Sequence, residues 1–237
     1  MKLRHVRLLA LLAVLPLAAC EDDSVQPVEA SRVRLLNAVT DAGSIHLRLD
    51  AGNITSSAVA YNNAPAYLRV RSGSRTLSVR TSAGTADLIS TNVNLATDQS
   101  YTFIYAGKTG ATGTYAPRFI NLADNGATPT GENGAVRVVH ASVGAPAAVD
   151  VYLLDEDETL AAATPEFTGI DFAEVSNYVT APAGTYSVVV TATGTKTASI
   201  TQADVTLAAG QKRTVAVIGD PATTATATLG VRVMTDN

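Results

Sequence analysis

The chain carries one pattern twice, and the length of that repeat is the tightest constraint on its fold. Val33-Arg34-Leu35-Leu36-Asn37-Ala38 aligns with Val136-Arg137-Val138-Val139-His140-Ala141. Ile45 to Leu49 aligns with Val149 to Leu153, Tyr67 and Gly73 with Tyr178 and Gly184, Val93 to Ala96 with Val205 to Ala208, and Gln99 to Gly107 with Gln211 to Gly219. The offset grows only from 103 to 112 residues, so the order is kept and loops absorb the difference. A period of this length describes two whole domains and not a solenoid of short units.

Each copy alternates like a set of strands. Ile45, Leu47 and Leu49 point one way while His46 and Arg48 point the other, and Val149, Val151 and Leu153 oppose Asp150 and Tyr152. Tyr186, Val188 and Val190 form a further inward set that matches Leu77 and Val79, and Val215 and Val217 match Phe103 and Tyr105. Turn residues separate these runs at Asp50-Ala51-Gly52-Asn53, Ser72-Gly73, Pro182-Ala183-Gly184 and Ala208-Ala209-Gly210. Short half-buried strands at this spacing predict an all-β chain of two tandem immunoglobulin-like sandwiches with antiparallel sheets. The first is expected over residues 32–124 and the second over 135–237. Residues 125–134, with Gly126, Pro129 and Gly131, are expected to link them.

The N-terminus reads as an export signal. Lys2, Arg4 and Arg7 precede an unbroken apolar run from Leu8 to Leu15, and small residues close it before Cys20. That run is too short to span a bilayer, which takes about 20 residues, and the layout is that of a cleaved secretory signal over residues 1–19. Leu17-Ala18-Ala19-Cys20 resembles the bacterial lipobox. The resemblance implies cleavage before Cys20 and lipid on its sulfur, and the chain is expected to be anchored in the bacterial cell envelope, at an outer membrane or cell surface rather than the inner membrane. Cys20 is the single cysteine, so no disulfide can form within a monomer. Glu21-Asp22-Asp23 and a polar stretch follow, so residues 20–31 are expected to be a flexible tether.

The second copy resembles a bacterial family named domain of unknown function 4397. The resemblance rests on Val136 to Ser142, Ala145-Pro146, Val149-Asp150-Val151-Tyr152, Tyr178, Pro182-Ala183-Gly184-Thr185-Tyr186 and Leu207-Ala208-Ala209-Gly210. It covers nearly the whole second domain. The first copy keeps the hydrophobic frame but has Asn37 at the His140 position, His46 at the Asp150 position and Arg71-Ser72-Gly73 for Pro182-Ala183-Gly184. The resemblance implies tandem sandwiches on exported or anchored proteins, and it carries over no catalytic residue.

Searched for chemistry, the chain offers little. His140, Ser142 and Asp150 contain the residue types of a triad, but no Gly-x-Ser-x-Gly elbow accompanies them. His140 is expected to bond a loop carbonyl or Asp150 and to pin a turn. His46 and His140 have no metal-ligand spacing. Asp155-Glu156-Asp157-Glu158 lacks the glycine and distal glutamate of a calcium loop and reads as a solvated hairpin turn. Gly107-Lys108-Thr109 lacks the leading glycine of a phosphate loop. Neither cofactor nor metal is expected.

Net charge is −4, with 17 Lys+Arg against 21 Asp+Glu, which argues against nucleic acid as a partner. The basic residues gather in the first copy, where Arg69 and Arg71 alternate on one strand and Arg75 and Arg80 flank the next. The expectation is a lipid-anchored, non-enzymatic envelope protein that meets another envelope protein or acts as a spacer. The alternative is a carbohydrate or anionic polymer bound on the Arg69, Arg71, Arg75 and Arg80 face.

Overall fold

A computed structural model describes residues 29–222 and 228–237. The export signal, Cys20 and most of the expected tether lie outside these residues. The first half contains β1 (Ala30–Asn37), β2 (Ile45–Leu49), β3 (Gly52–Asn53), β4 (Leu68–Arg71), β5 (Gly73–Thr81), β6 (Ile89–Leu95), β7 (Ser100–Ala106) and β8 (Arg118–Ala123), with a 3-10 turn at Gly113–Tyr115. The second half contains β9 (Asn133–His140), β10 (Ala148–Leu154), β11 (Phe167–Asp171), β12 (Val179–Pro182), β13 (Gly184–Ala192), β14 (Ala198–Leu207), β15 (Lys212–Ile218) and β16 (Gly230–Asp236). Ala30 and Ser31 are already strand, and pair with Arg71 and Val70.

The halves share one topology. Outer sheets run β3-β2-β5-β6 and β11-β10-β13-β14, and inner sheets run β4-β1-β7-β8 and β12-β9-β15-β16. Each half is thus a β-sandwich, and the alternating residues fill its core. Val33, Leu35, Ile45, Leu47, Leu77, Val79, Phe103 and Tyr105 close the first. Val138, Val149, Val151, Tyr186, Val188, Val190, Val215 and Val217 close the second.

Two features differ from the sequence expectation. Each inner sheet is mixed, because β1 pairs in parallel with β7 and β9 with β15. A parallel pair needs a long crossover, and here the chain passes through the whole outer sheet between the two strands. The acidic run Asp155–Glu158 does make an exposed turn, closed by the Glu158 amide on the Asp155 carbonyl at 3.1 Å, but it sits in a longer connection than its counterpart in the first half. In the first half Asp50 and Ala51, both at positive φ, turn β2 directly into β3. In the second, residues 155–166 form a longer loop between β10 and β11, and Tyr152, Leu154, Ala163 and Val189 pack together on the outer face of that sheet.

A third core lies between the two inner sheets. Leu36, Ala38, Ile104, Ala106, Ile120 and Leu122 from the first half meet Val139, Ala141, Ala216, Ile218 and Met234 from the second. Four sheets are therefore stacked, outer, inner, inner, outer. The central strands β1, β7, β9 and β15 are buried on both faces. Only their C-terminal parts, Leu35-Leu36, Phe103 to Ala106, Val138-Val139 and Val215 to Ile218, are continuously apolar, as burial on both faces requires.

Candidate functional site

His140, Ser142 and Asp150 do not assemble as a triad. His140 Nε2 lies 2.9 Å from the carbonyl of Pro146, and its Nδ1 accepts the Ser142 amide at 3.3 Å. This pattern places the ring proton on Nε2. The Ser142 hydroxyl donates to the Gly219 carbonyl and accepts the amides of Gly144 and Ala145. Asp150 turns elsewhere and accepts the amides of Gly169 and Gly194, both at 2.8 Å. His140 therefore bonds a loop carbonyl and not Asp150. Burial lowers its pKa, against the Pro146 hydrogen bond and the charge of Asp171. Asn37 takes the same post in the first half: it donates to Gly43 and Val59 carbonyls and accepts the Val39 amide.

The four arginines of the first half do not share a face. Arg69 and Arg71 project from β4, at the edge of the inner sheet, while Arg75 and Arg80 lie on β5 of the outer sheet. Arg75 pairs with Asp50 at 2.7 Å and Arg80 with Asp87 at 2.8 Å. Residues Asp155 to Glu158 are exposed. Among the described residues no three His, Cys, Asp or Glu side chains converge as a metal site, and no helix is long and apolar enough to cross a membrane.

The most organised polar constellation is made of residues that no sequence motif marks. It lies inside the junction of the two sandwiches and is built twice, by pseudo-twofold symmetry. From β1, Arg34 reaches across to the last strand of the second half. Its Nε donates to Thr102 at 2.7 Å, its Nη1 to the Thr235 carbonyl at 2.6 Å, and its Nη2 pairs with Asp236. From β9, Arg137 reaches back. Its Nε donates to Thr214 at 2.8 Å, its Nη1 to the Ala123 carbonyl at 2.8 Å, and its Nη2 pairs with Asp124. Tyr67 and Thr102 donate hydroxyls to Asp124, and Tyr178 and Thr214 donate theirs to Asp236. Each guanidinium also covers a tyrosine ring, Tyr67 at 4.4 Å and Tyr178 at 4.7 Å.

Both carboxylate side chains are fully buried. Burial holds the Asp124 carboxyl above the ordinary range, opposed by Thr102, Arg137 and Tyr67, and it raises both tyrosines well above theirs. Lys212 donates to the Asp124 and Gly126 carbonyls and ties residues 124–126 to the second half. At the rim, Lys108 pairs with Asp220 at 3.1 Å, and Tyr115 meets Phe172 edge-on at 5.0 Å.

All three nitrogens of each buried guanidinium are engaged by the protein itself. What the arrangement does is fix the orientation of one sandwich on the other. The sequence held a trace of it: Arg34 aligns with Arg137 and Tyr67 with Tyr178, each arginine standing inside an apolar strand.

Compared with known proteins, residues 31–152 and 147–237 match the model of a family described as Domain of unknown function (DUF4397). No curated protein matches the chain.

Proposed function

This chain belongs to the DUF4397 family, in tandem copies, and on that premise we propose that it is a non-enzymatic interaction or spacer module of the bacterial envelope, held to a membrane by lipid on Cys20. The observation that carries the reading is the junction. Two buried arginine–carboxylate pairs, Arg34–Asp236 and Arg137–Asp124, join the two halves. A third apolar core seals the same contact. Such a junction makes the tandem a rigid body, which suits a part that presents surfaces at a set distance from an anchor. The alternative, an anionic glycan on Arg69, Arg71, Arg75 and Arg80, is less favoured, since those residues divide between two sheets and two of them are already paired.

The anchor is tested by cell fractionation together with mass spectrometry of the N-terminal peptide. The wild type should partition with membranes and carry an acylated Cys20, and Cys20→Ser should be released. A mature N-terminus elsewhere with no acyl group would overturn the anchor. Turnover of a substrate that disappears in a folded His140→Ala variant would overturn the non-enzymatic reading.

A further inference from the structure

On the flank of the second sandwich the edge strands of its two sheets, β14 and β16, border a cleft of about 360 Å³. Gln202 to Thr206 form one wall, Val231 to Val233 the other, and Arg213 and Asn62 complete it. We infer that the edge of β16 in this cleft docks an extended, acidic peptide segment of a partner protein by strand addition.

The backbone supplies the first argument. The Val217 carbonyl accepts the Ala141 amide, so the odd residues of β15 bond toward β9 and the even ones toward β16. Gly230, Arg232, Met234 and Asp236 are the β16 partners of those even residues. Val231, Val233 and Thr235 must then turn their N–H and C=O groups outward, since both groups of a strand residue point the same way. Thr235 confirms the alternation, because its carbonyl is taken by Arg34. Among the described residues nothing takes the outward groups of Val231 and Val233. A strand edge of this kind is a template for another chain. The facing strand β14 is spoiled for that role by a bulge, where Tyr186 and Val188 pair with Val205 and Gln202 and Asp204 has φ +58°.

Charge supplies the second. Arg232 shares its strand face with Met234 and Asp236, which point into the junction. Its Nε is buried, and among the described residues it has no hydrogen-bond or ion-pair partner. Arg232 as a whole is half-buried, so the rest of its guanidinium stays open to the cleft, and an anion there would both pair its charge and satisfy the buried Nε. Arg213, at the same cleft, has among the described residues only its Nε engaged, with Gln211 at 3.0 Å. Asp204 is the one carboxylate among the lining residues, so the cleft stays net positive. Among the described residues no aromatic ring lines it, which disfavours a sugar and leaves the strand edge as the main recognition element. An acidic side chain two residues removed from the next on such a peptide would face Arg232 while its backbone met Val231 and Val233.

The inference names a partner class for the interaction reading and rests on it, but its failure would leave the Cys20 measurements untouched. The test uses the mature protein and a fluorescent hexapeptide alternating valine and glutamate. Anisotropy should show binding, weakened about tenfold or more by Arg232→Glu and by Val233→Pro. Proline at Val233 removes an outward N–H and no ladder bond. In the wild type, peptide should slow hydrogen exchange at the Val231 and Val233 amides, a readout that stands even if the proline variant misfolds. Three results would overturn the inference: equal binding of the valine–lysine peptide, unchanged exchange at both amides, or preference for an oligogalacturonate probe. Self-association of the protein that Val233→Pro abolishes would assign the edge to a second copy and overturn it as well.

Discussion

At the scale of single residues, the junction arginines are the groups whose loss the fold should feel most. Removing one member of a buried pair strands the other charge, which costs about 3–5 kcal/mol. Arg34→Ala and Arg137→Ala should each lower stability by that order in urea denaturation. The double variant should fall short of the sum, because Arg137 Nη2 also lies 3.7 Å from Asp236 and the two clusters share that carboxylate. Simple additivity would mean the halves of the network are independent. His140 gives a prediction of a different kind. Its neutral ring accepts the Ser142 amide, and a proton on Nδ1 would set two donors against each other. Its folded pKa lies below the ordinary 6.5, so the unfolded chain binds the proton first. Its contribution is present above pH 6.5 and is lost as pH falls through the lower, folded value. His140→Asn, which installs the residue that serves at position 37, should keep the turn and flatten this part of the stability profile. A variant that retains the full slope would place the titration in another group.

At the scale of elements, the equivalent glycines that follow β7 and β15 matter more than their sequence suggests. Gly107 has φ +105° and Gly219 φ +120°. A Cβ there would sit 2.7 Å from the Ala116 carbonyl oxygen in one case and 2.5 Å from that of Thr228 in the other. Both the backbone conformation and the space reject a side chain, so Gly107→Ala and Gly219→Ala should each destabilise by about 2 kcal/mol or more, read by thermal unfolding. These elements also show what could be read from the chain beforehand. The repeat placed β2 with β10, β5 with β13 and β7 with β15, and the alternation assigned their core faces, because a pleated strand writes its burial directly into its sequence. The second face of β1, β7, β9 and β15 was not legible in that way. Arg34 between Val33 and Leu35 looks like the wet side of a half-buried strand, and only the stacking of one half on the other makes it dry. Asp124 and Asp236 close their strands in loop-like surroundings. Their pairing with arginines of the opposite half depends on packing between segments that local pattern cannot relate. The tight turn at Asp50-Ala51 was readable, whereas its counterpart beginning at Asp155 was lengthened by the same insertion that shifts the repeat offset.

At the scale of the whole molecule, the question is whether two sandwiches make two folding units or one. Each has its own core, which argues for two. The third core joins them through Leu36, Ile104, Leu122, Val139, Ala216 and Ile218, all nearly free of solvent contact. Separating the halves would expose this surface and both buried carboxylates at once. The penalty for a half-unfolded intermediate is therefore large on either side, and calorimetry of the wild type should show one transition whose van't Hoff and calorimetric enthalpies agree. Ile104 sits in that third core and not in the core of its own sandwich, so Ile104→Asp attacks the coupling selectively, burying an unpaired charge against the opposite sheet. The trace should then separate into two transitions. Leu47→Ala is the matched control, since Leu47 belongs to the core of the first sandwich alone. It should cost about 2–5 kcal/mol and shift the single transition without dividing it. If Ile104→Asp also leaves one transition, the halves are coupled by something other than this interface; if the wild type already shows two, the junction is too weak to set the spacing that the proposed role requires.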